Sequence, residues 1–140
     1  MSVIYKENIL TADDYILFQR KMGWSESKRE QVEKSLSHTL FSVAALQNDE
    51  IIGMGRLLGD SASYWYMNDV FVLTQYQKKG IGRDIVKRLI QYVKRNSISG
   101  TSASIYLFCA EDKGGFYEKI GFTDCQKAGG MGMFIDIDIE

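Results

Sequence analysis

Apolar residues recur at helical spacing from Ala12 to Met22, with Tyr15, Phe18 and Met22 on one side, and this predicts a first helix. Thr11 stands where a cap belongs, and Asp13 and Asp14 fill the first turn, where carboxylates favour the helix dipole. Ahead of it, Val3-Ile4-Tyr5 reads as a short strand. Gly23-Trp24-Ser25 breaks the helix, and a second is predicted from Lys28 to Leu40, its charge-rich start pointing to an exposed face.

The rhythm then changes. Phe41 to Leu46, Ile51 to Leu58 and Tyr64 to Val72 are hydrophobic runs, separated by the turns Gln47-Asn48-Asp49-Glu50 and Gly59-Asp60-Ser61. Such spacing predicts consecutive hairpins and an antiparallel meander. From Ile81 to Lys94 the helical period returns: Ile81, Ile85, Val86, Leu89, Ile90 and Val93 share a face, with Lys87, Arg88, Gln91 and Lys94 on or near the other. Asn96 to Ser102 reads as a loop, and Ser104 to Ala110 as a buried strand by its apolar content. Gly115 to Ile120 predicts a short helix ended by Gly121, with room for a small strand at Phe122 to Cys125. Phe134 to Ile139 alternates Ile with Asp and reads as a last strand with one wet face. The order β-α-α-β-β-β-α-β-α-β predicts a mixed α/β (α+β) fold with a largely antiparallel central sheet flanked by helices, in a single domain over residues 1–140.

Charge and composition narrow the chemistry. Seventeen basic residues nearly balance 18 acidic ones, which argues against affinity for nucleic acid built on phosphate neutralisation. No apolar run approaches the ~20 residues that span a bilayer, and the N-terminus has no signal-peptide core, so a cytoplasmic protein without a membrane partner is expected. Cys109 and Cys125 show no metal-ligand spacing and His38 is the one histidine, so no metal is expected. Cys109 reads as an inert core thiol.

The segment that carries chemistry is Asp69-Val70-Phe71-Val72-Leu73-Thr74-Gln75-Tyr76-Gln77-Lys78-Lys79-Gly80-Ile81-Gly82. A hydrophobic strand runs through a polar loop into glycines at the start of an amphipathic helix. Helix N-termini present unpaired N–H groups and positive dipole, and glycine lets an anion approach the backbone. Together these make a phosphate site, with Lys78, Lys79 and Arg83 adding charge beside it. No Gly-Lys-Ser/Thr follows, which excludes a Walker A loop, and the third glycine of the dinucleotide fingerprint is missing.

Gln77-Lys78-Lys79-Gly80-Ile81-Gly82 resembles the Gln/Arg-x-x-Gly-x-Gly/Ala motif of the GNAT superfamily of N-acetyltransferases. Phe116-Tyr117-Glu118-Lys119-Ile120-Gly121-Phe122 is similar to the aromatic pair before Gly-Phe in the same family, at the matching distance. Two departures stand out: Thr74 replaces a frequent proline, and Cys109-Ala110-Glu111-Asp112 lacks a frequent asparagine.

The resemblance implies acetyl-CoA as co-substrate, with its pyrophosphate on the amides of Gln77, Lys78, Lys79, Gly80, Ile81, Gly82 and Arg83. Its pantetheine arm would lie along Val70, Phe71 and Val72 as an added strand. A main-chain N–H near Phe71 or Val72 would face the thioester oxygen. The family attacks directly with the amine. Tyr117 is then the candidate general acid for the departing thiolate, the first turn of its helix lowering its pKa; its alternative is packing with Phe116 and Phe122. Asp69 is the candidate base, because an acid interrupting an apolar strand is costly without a cavity or partner; a solvated face, a pair with Arg56, or a bound water as base are the alternatives. Trp24, Arg56 and Tyr66 are candidate acceptor contacts, the two aromatics otherwise packing the core, and Arg56 holding a carboxylate or else pairing with Asp60 or Asp69. The expected partner is a small-molecule amine, and family relatives commonly form homodimers.

Overall fold

Hairpin follows hairpin, and the sheet's spatial order is the order of the chain. The structure, a computed structural model, describes residues 2–133, 135–136 and 138–139. The strands β1 (Ile4–Glu7), β2 (Phe41–Gln47), β3 (Glu50–Gly59), β4 (Tyr64–Val72) and β5 (Ser104–Tyr106) stand side by side as β1-β2-β3-β4-β5. The first four are antiparallel, as the meander predicts, and β5 joins β4 in parallel. The fold is thus α/β with a mixed five-stranded sheet. The chain separates into two compact units, Met1–Phe108 and Cys109–Glu140, and all five strands lie in the first.

Helix α1 (Ala12–Lys21) begins with a reciprocal cap: Thr11 Oγ1 accepts from the Asp14 amide at 3.2 Å, and Asp14 Oδ2 accepts from the Thr11 amide at 3.0 Å. Such a box satisfies two amides that the first turn leaves without partners. Helix α2 (Arg29–Ser37) is shorter than the sequence predicts and ends at an exposed His38.

Helix α3 (Ile81–Asn96) buries Ile81, Ile85, Val86, Leu89 and Val93, the stripe the periodicity marks. It lies close on β3. A Cβ at Gly55 would stand 2.8 Å from Ile85 Cγ2 and 2.9 Å from Leu89 Cδ1, so only glycine admits the helix at this distance. Tyr92 of α3 stacks on Phe41 at 4.0 Å and meets Trp65 edge-on at 6.1 Å. Tyr5 of β1 donates to Asp84 Oδ2 at 2.8 Å, and Arg88 lies over the Tyr5 ring. These contacts fix where the helix starts relative to the end of β4.

Three expectations need correction. The strand predicted for Ser104 to Ala110 stops at Tyr106 and is not buried: Tyr106 and Phe108 are exposed, and Cys109 is an exposed thiol rather than a core one. An apolar run gives no sign of how many neighbours a strand has, and among the described residues β5 pairs only with β4. At Phe122 to Cys125 there is no strand; the chain turns there, with the Gly130 amide bonded to the Cys125 carbonyl at 2.8 Å. Of the last strand predicted over Phe134 to Ile139, Phe134 and Ile137 lie outside the described residues, and Ile135, Asp136, Asp138 and Ile139 belong to no strand and are exposed.

Candidate active site

β4 pairs with β5 only from Tyr64 to Tyr66, against Ser104 to Tyr106. Beyond Tyr66 that edge has no strand beside it among the described residues, so the run through Val70, Phe71 and Val72 presents backbone groups to a gap. An unpaired strand edge is a template for an extended ligand. The chain leaves β4 through a short 3-10 turn, Thr74–Tyr76, and is tied back: Gln77 Nε2 donates to the Val72 carbonyl at 2.9 Å. Lys78 and Gly80 then take left-handed backbone, φ 61° and 86°, and Gly80 opens α3.

No side chain caps this helix. The amides of its first turn are therefore free to serve an anion, and the space a Gly80 side chain would fill is open to 4 Å. Lys78, Lys79 and Arg83 are exposed around the turn, with the Lys79 ammonium 5.7 Å from the centre of the Tyr76 ring. Residues and geometry fit a diphosphate carried on an extended arm.

One irregularity lies just upstream. The β3–β4 register passes from Arg56 opposite Asn68 to Met54 opposite Phe71, so Asp69 and Val70 together face Gly55. This is a bulge, and Asp69 takes φ 53° within it. Alternation from Trp65, which packs under α3, would have sent Asp69 into that apolar layer. The bulge sends it to the opposite face, where Arg56 meets it at 2.8 Å through both Nε and NH2. Tyr15 of α1 donates to the same carboxylate oxygen, Oδ2, at 2.9 Å.

The pair is buried, the Arg56 and Asp69 side chains being 7% and 10% exposed. Arg56 is held further by the Thr39 hydroxyl at 2.8 Å and the Ser35 carbonyl at 3.4 Å. Burial, followed by the charge and hydrogen bond of Asp69, raises the Tyr15 phenol above its ordinary range. A cavity of about 120 Å³ lies over this cluster, lined by Tyr15, Ser27, Gln31, Val32, Ser35, Leu36 and Arg56.

Of the alternatives open in the sequence, Asp69 and Arg56 adopt the mutual ion pair, and Asp60 instead accepts from the amides of Ala62, Ser63 and Tyr64. Arg56 is thereby engaged within the protein rather than free for an acceptor carboxylate. Trp24 stands edge-on to Phe71 at 4.6 Å and is 40% exposed. Tyr66 is half-buried, 6.5 Å from Phe108, while Tyr64 stacks with Tyr106 at 6.3 Å. Sequence reasoning missed Tyr15, which sits at an apolar position of α1; no sequence signal distinguishes a hydroxyl with a specific partner from one that reaches water.

In the second unit, helix α4 (Gly114–Ile120) ends at Gly121, as predicted, and Tyr117 is its fourth residue. Tyr117 packs edge-on with Phe116 at 4.9 Å and with Phe122 at 5.6 Å. The expectation of a lowered pKa is overturned: burial, aided by nearby Cys109, pushes the phenol up to about 12. Desolvation disfavours the phenolate and outweighs the weak dipole of so short a helix.

The model of the acetyltransferase (GNAT) domain family matches residues 37–124. A Staphylococcus aureus protein of unknown function, described as a probable acetyltransferase, is 31% identical, with 97% of this chain and 100% of that chain covered at a TM-score of 0.84. A GNAT-family acetyltransferase of Streptococcus pneumoniae is 30% identical, with 99% and 100% covered at a TM-score of 0.82. The chloroplastic GCN5-related N-acetyltransferase 3 of Arabidopsis thaliana is 28% identical over 89% of this chain, which spans only 54% of that protein's length. A strand opening into a gap, a left-handed glycine turn and an uncapped amphipathic helix agree with these matches, and the chain belongs to the GNAT family of N-acetyltransferases.

Proposed function

We propose that this protein transfers acetyl from acetyl-CoA directly to a primary amine of a small molecule, with residues 1–140 acting as one cytoplasmic transferase domain. The observation that carries the reading is the free β4 edge leading into the left-handed turn at Gly80. Bound there, acetyl-CoA supplies an activated acyl group. Val70, Phe71 and Val72 would hold the pantetheine arm by main-chain pairing, and a backbone N–H of this segment would donate to the thioester oxygen as negative charge builds. Amides from Gln77 to Arg83 would hold the diphosphate.

Tyr117 would protonate the departing thiolate. Its pKa near 12 keeps it in the acid form at neutral pH, although transfer to a thiolate of ordinary basicity, ~8.5, is uphill. Proton transfer therefore has to accompany cleavage. The charge of Asp69 is already matched by Arg56, which favours a water as the base. Trp24 and Tyr66 would contact the acceptor.

Calorimetric titration with acetyl-CoA tests the reading, followed by incubation with labelled acetyl-CoA and an amine library. Micromolar binding and a labelled N-acetyl product are expected. Indifference to millimolar acetyl-CoA would overturn it.

A further inference from the structure

Asp69 adopts a left-handed conformation inside a strand, where a residue other than glycine is held at a conformational cost. A buried ion pair is weak evidence for stability, since desolvation offsets much of the attraction. Here both costs fall on the same residue, one step before the segment that faces the gap. We propose that Arg56, Asp69 and Tyr15 are positioning residues for the transfer reaction: their network fixes the bulge and so aims the main-chain amides of Val70 and Val72 into the gap beside β4. The proposal rests on the reading that this edge receives the thioester.

The connectivity supports it. Asp69 Oδ2 takes donors from β3, through Arg56, and from α1, through Tyr15. Arg56 reaches on to the end of α2 through Ser35 and just beyond it to Thr39. Two neighbouring segments thus hold one carboxylate, a third holds the arginine that pairs with it, and the residue it belongs to sets the backbone direction of the next three. Without the anchor, a regular strand would turn Asp69 toward the apolar layer under α3 and reverse which groups of Val70 to Val72 face the gap, since side-chain and amide directions alternate together. Rate would suffer through geometry alone, because displacing reacting groups by ~1 Å can cost about a hundredfold.

The test combines backbone NMR of the protein without ligand and steady-state kinetics. Asp69→Ala removes the anchor and disfavours the left-handed turn. It should shift the Val70, Phe71 and Val72 amide resonances and speed their exchange about tenfold, while amides from Ile85 to Val93 stay as they are. Its kcat should fall at least about tenfold with the Kd for acetyl-CoA nearly unchanged. Asp69→Asn keeps a left-handed preference and the Tyr15 hydrogen bond, so it should lose less and keep the acidic limb of the kcat/KM profile.

Unmoved Val70 to Val72 amides in Asp69→Ala overturn the proposal. Loss of the acidic limb in Asp69→Asn also overturns it, because Asp69 would then be the base. Should Asp69→Ala not fold, Tyr15→Phe removes a single hydrogen bond, and smaller shifts at the same amides are expected; their absence is equally fatal. A wild-type protein that ignores acetyl-CoA would end the functional reading, yet the ligand-free spectra would still report whether the network sets the strand.

Discussion

The two faces of one sheet follow different rules. Under α3 the contacts are apolar and close: Ile85 and Leu89 lie against Gly55, and Tyr92 lies against Phe41 and Trp65. On the other face Phe18 and Val32 are buried too, but beside them stand an arginine, an aspartate and a phenol, beneath a cavity with serine and glutamine in its wall. Packing of the first kind returns free energy in proportion to area removed from water. The second kind returns little net energy and is justified by the conformation it selects. Apolar contacts therefore hold the protein folded, and the polar cluster, which only the second face has, determines the course of β4.

Changes on the apolar face should appear in stability and leave substrate affinity alone. Leu89→Ala is the largest expected effect, about 2–5 kcal/mol of stability, read by denaturant melts, with the Kd for acetyl-CoA unchanged. A loss below ~1 kcal/mol would break the division between the faces.

Helix α4, in the second unit, tests whether the chemistry can be removed alone. Tyr117→Phe should lower kcat about a hundredfold without weakening acetyl-CoA binding, a common size for general-acid loss. Unchanged turnover removes Tyr117 from the mechanism. The sign of its pH effect follows from its raised pKa. The folded protein keeps the phenol proton up to about 12, against ~10 in the unfolded chain. That contribution to stability is complete below ~10 and disappears as pH rises through the folded value, so wild type should lose stability relative to the non-titrating Tyr117→Phe as the solution becomes strongly alkaline.

Gly80→Ala is the smallest change. Space is open there, so the effect is conformational, about 1 kcal/mol for φ 86°, with acetyl-CoA affinity falling more than stability. Equal effects on both would mean that the turn serves the fold and not the ligand.

The same contrast decides what could be read from the sequence. Helix α3 was legible because six apolar residues at its period leave little choice of face, and the hairpins were legible because tight turns separate short runs. The glycine turn was found because its residue types have few other uses together. Asp69 was visible as an acid in an apolar strand, but the bulge was not: a period of two cannot show that one residue has been inserted. Nor does sequence reveal that Arg56 and Tyr15 converge on it, since their meeting depends on how α1 crosses the sheet. The extent of β5 was overstated because hydrophobicity records a tendency to be covered and says nothing about whether a neighbouring strand is there.

The bond from the Gln77 side-chain Nε2 to the Val72 carbonyl gives the turn proposed to hold the diphosphate its shape before any ligand arrives. A loop that is already folded loses little freedom on capturing an anion, so association should need no slow rearrangement and most of the gross attraction should survive as affinity. Substituting a glutamate for that glutamine would place oxygen against oxygen and return the turn to an ensemble that each incoming cofactor has to organise afresh.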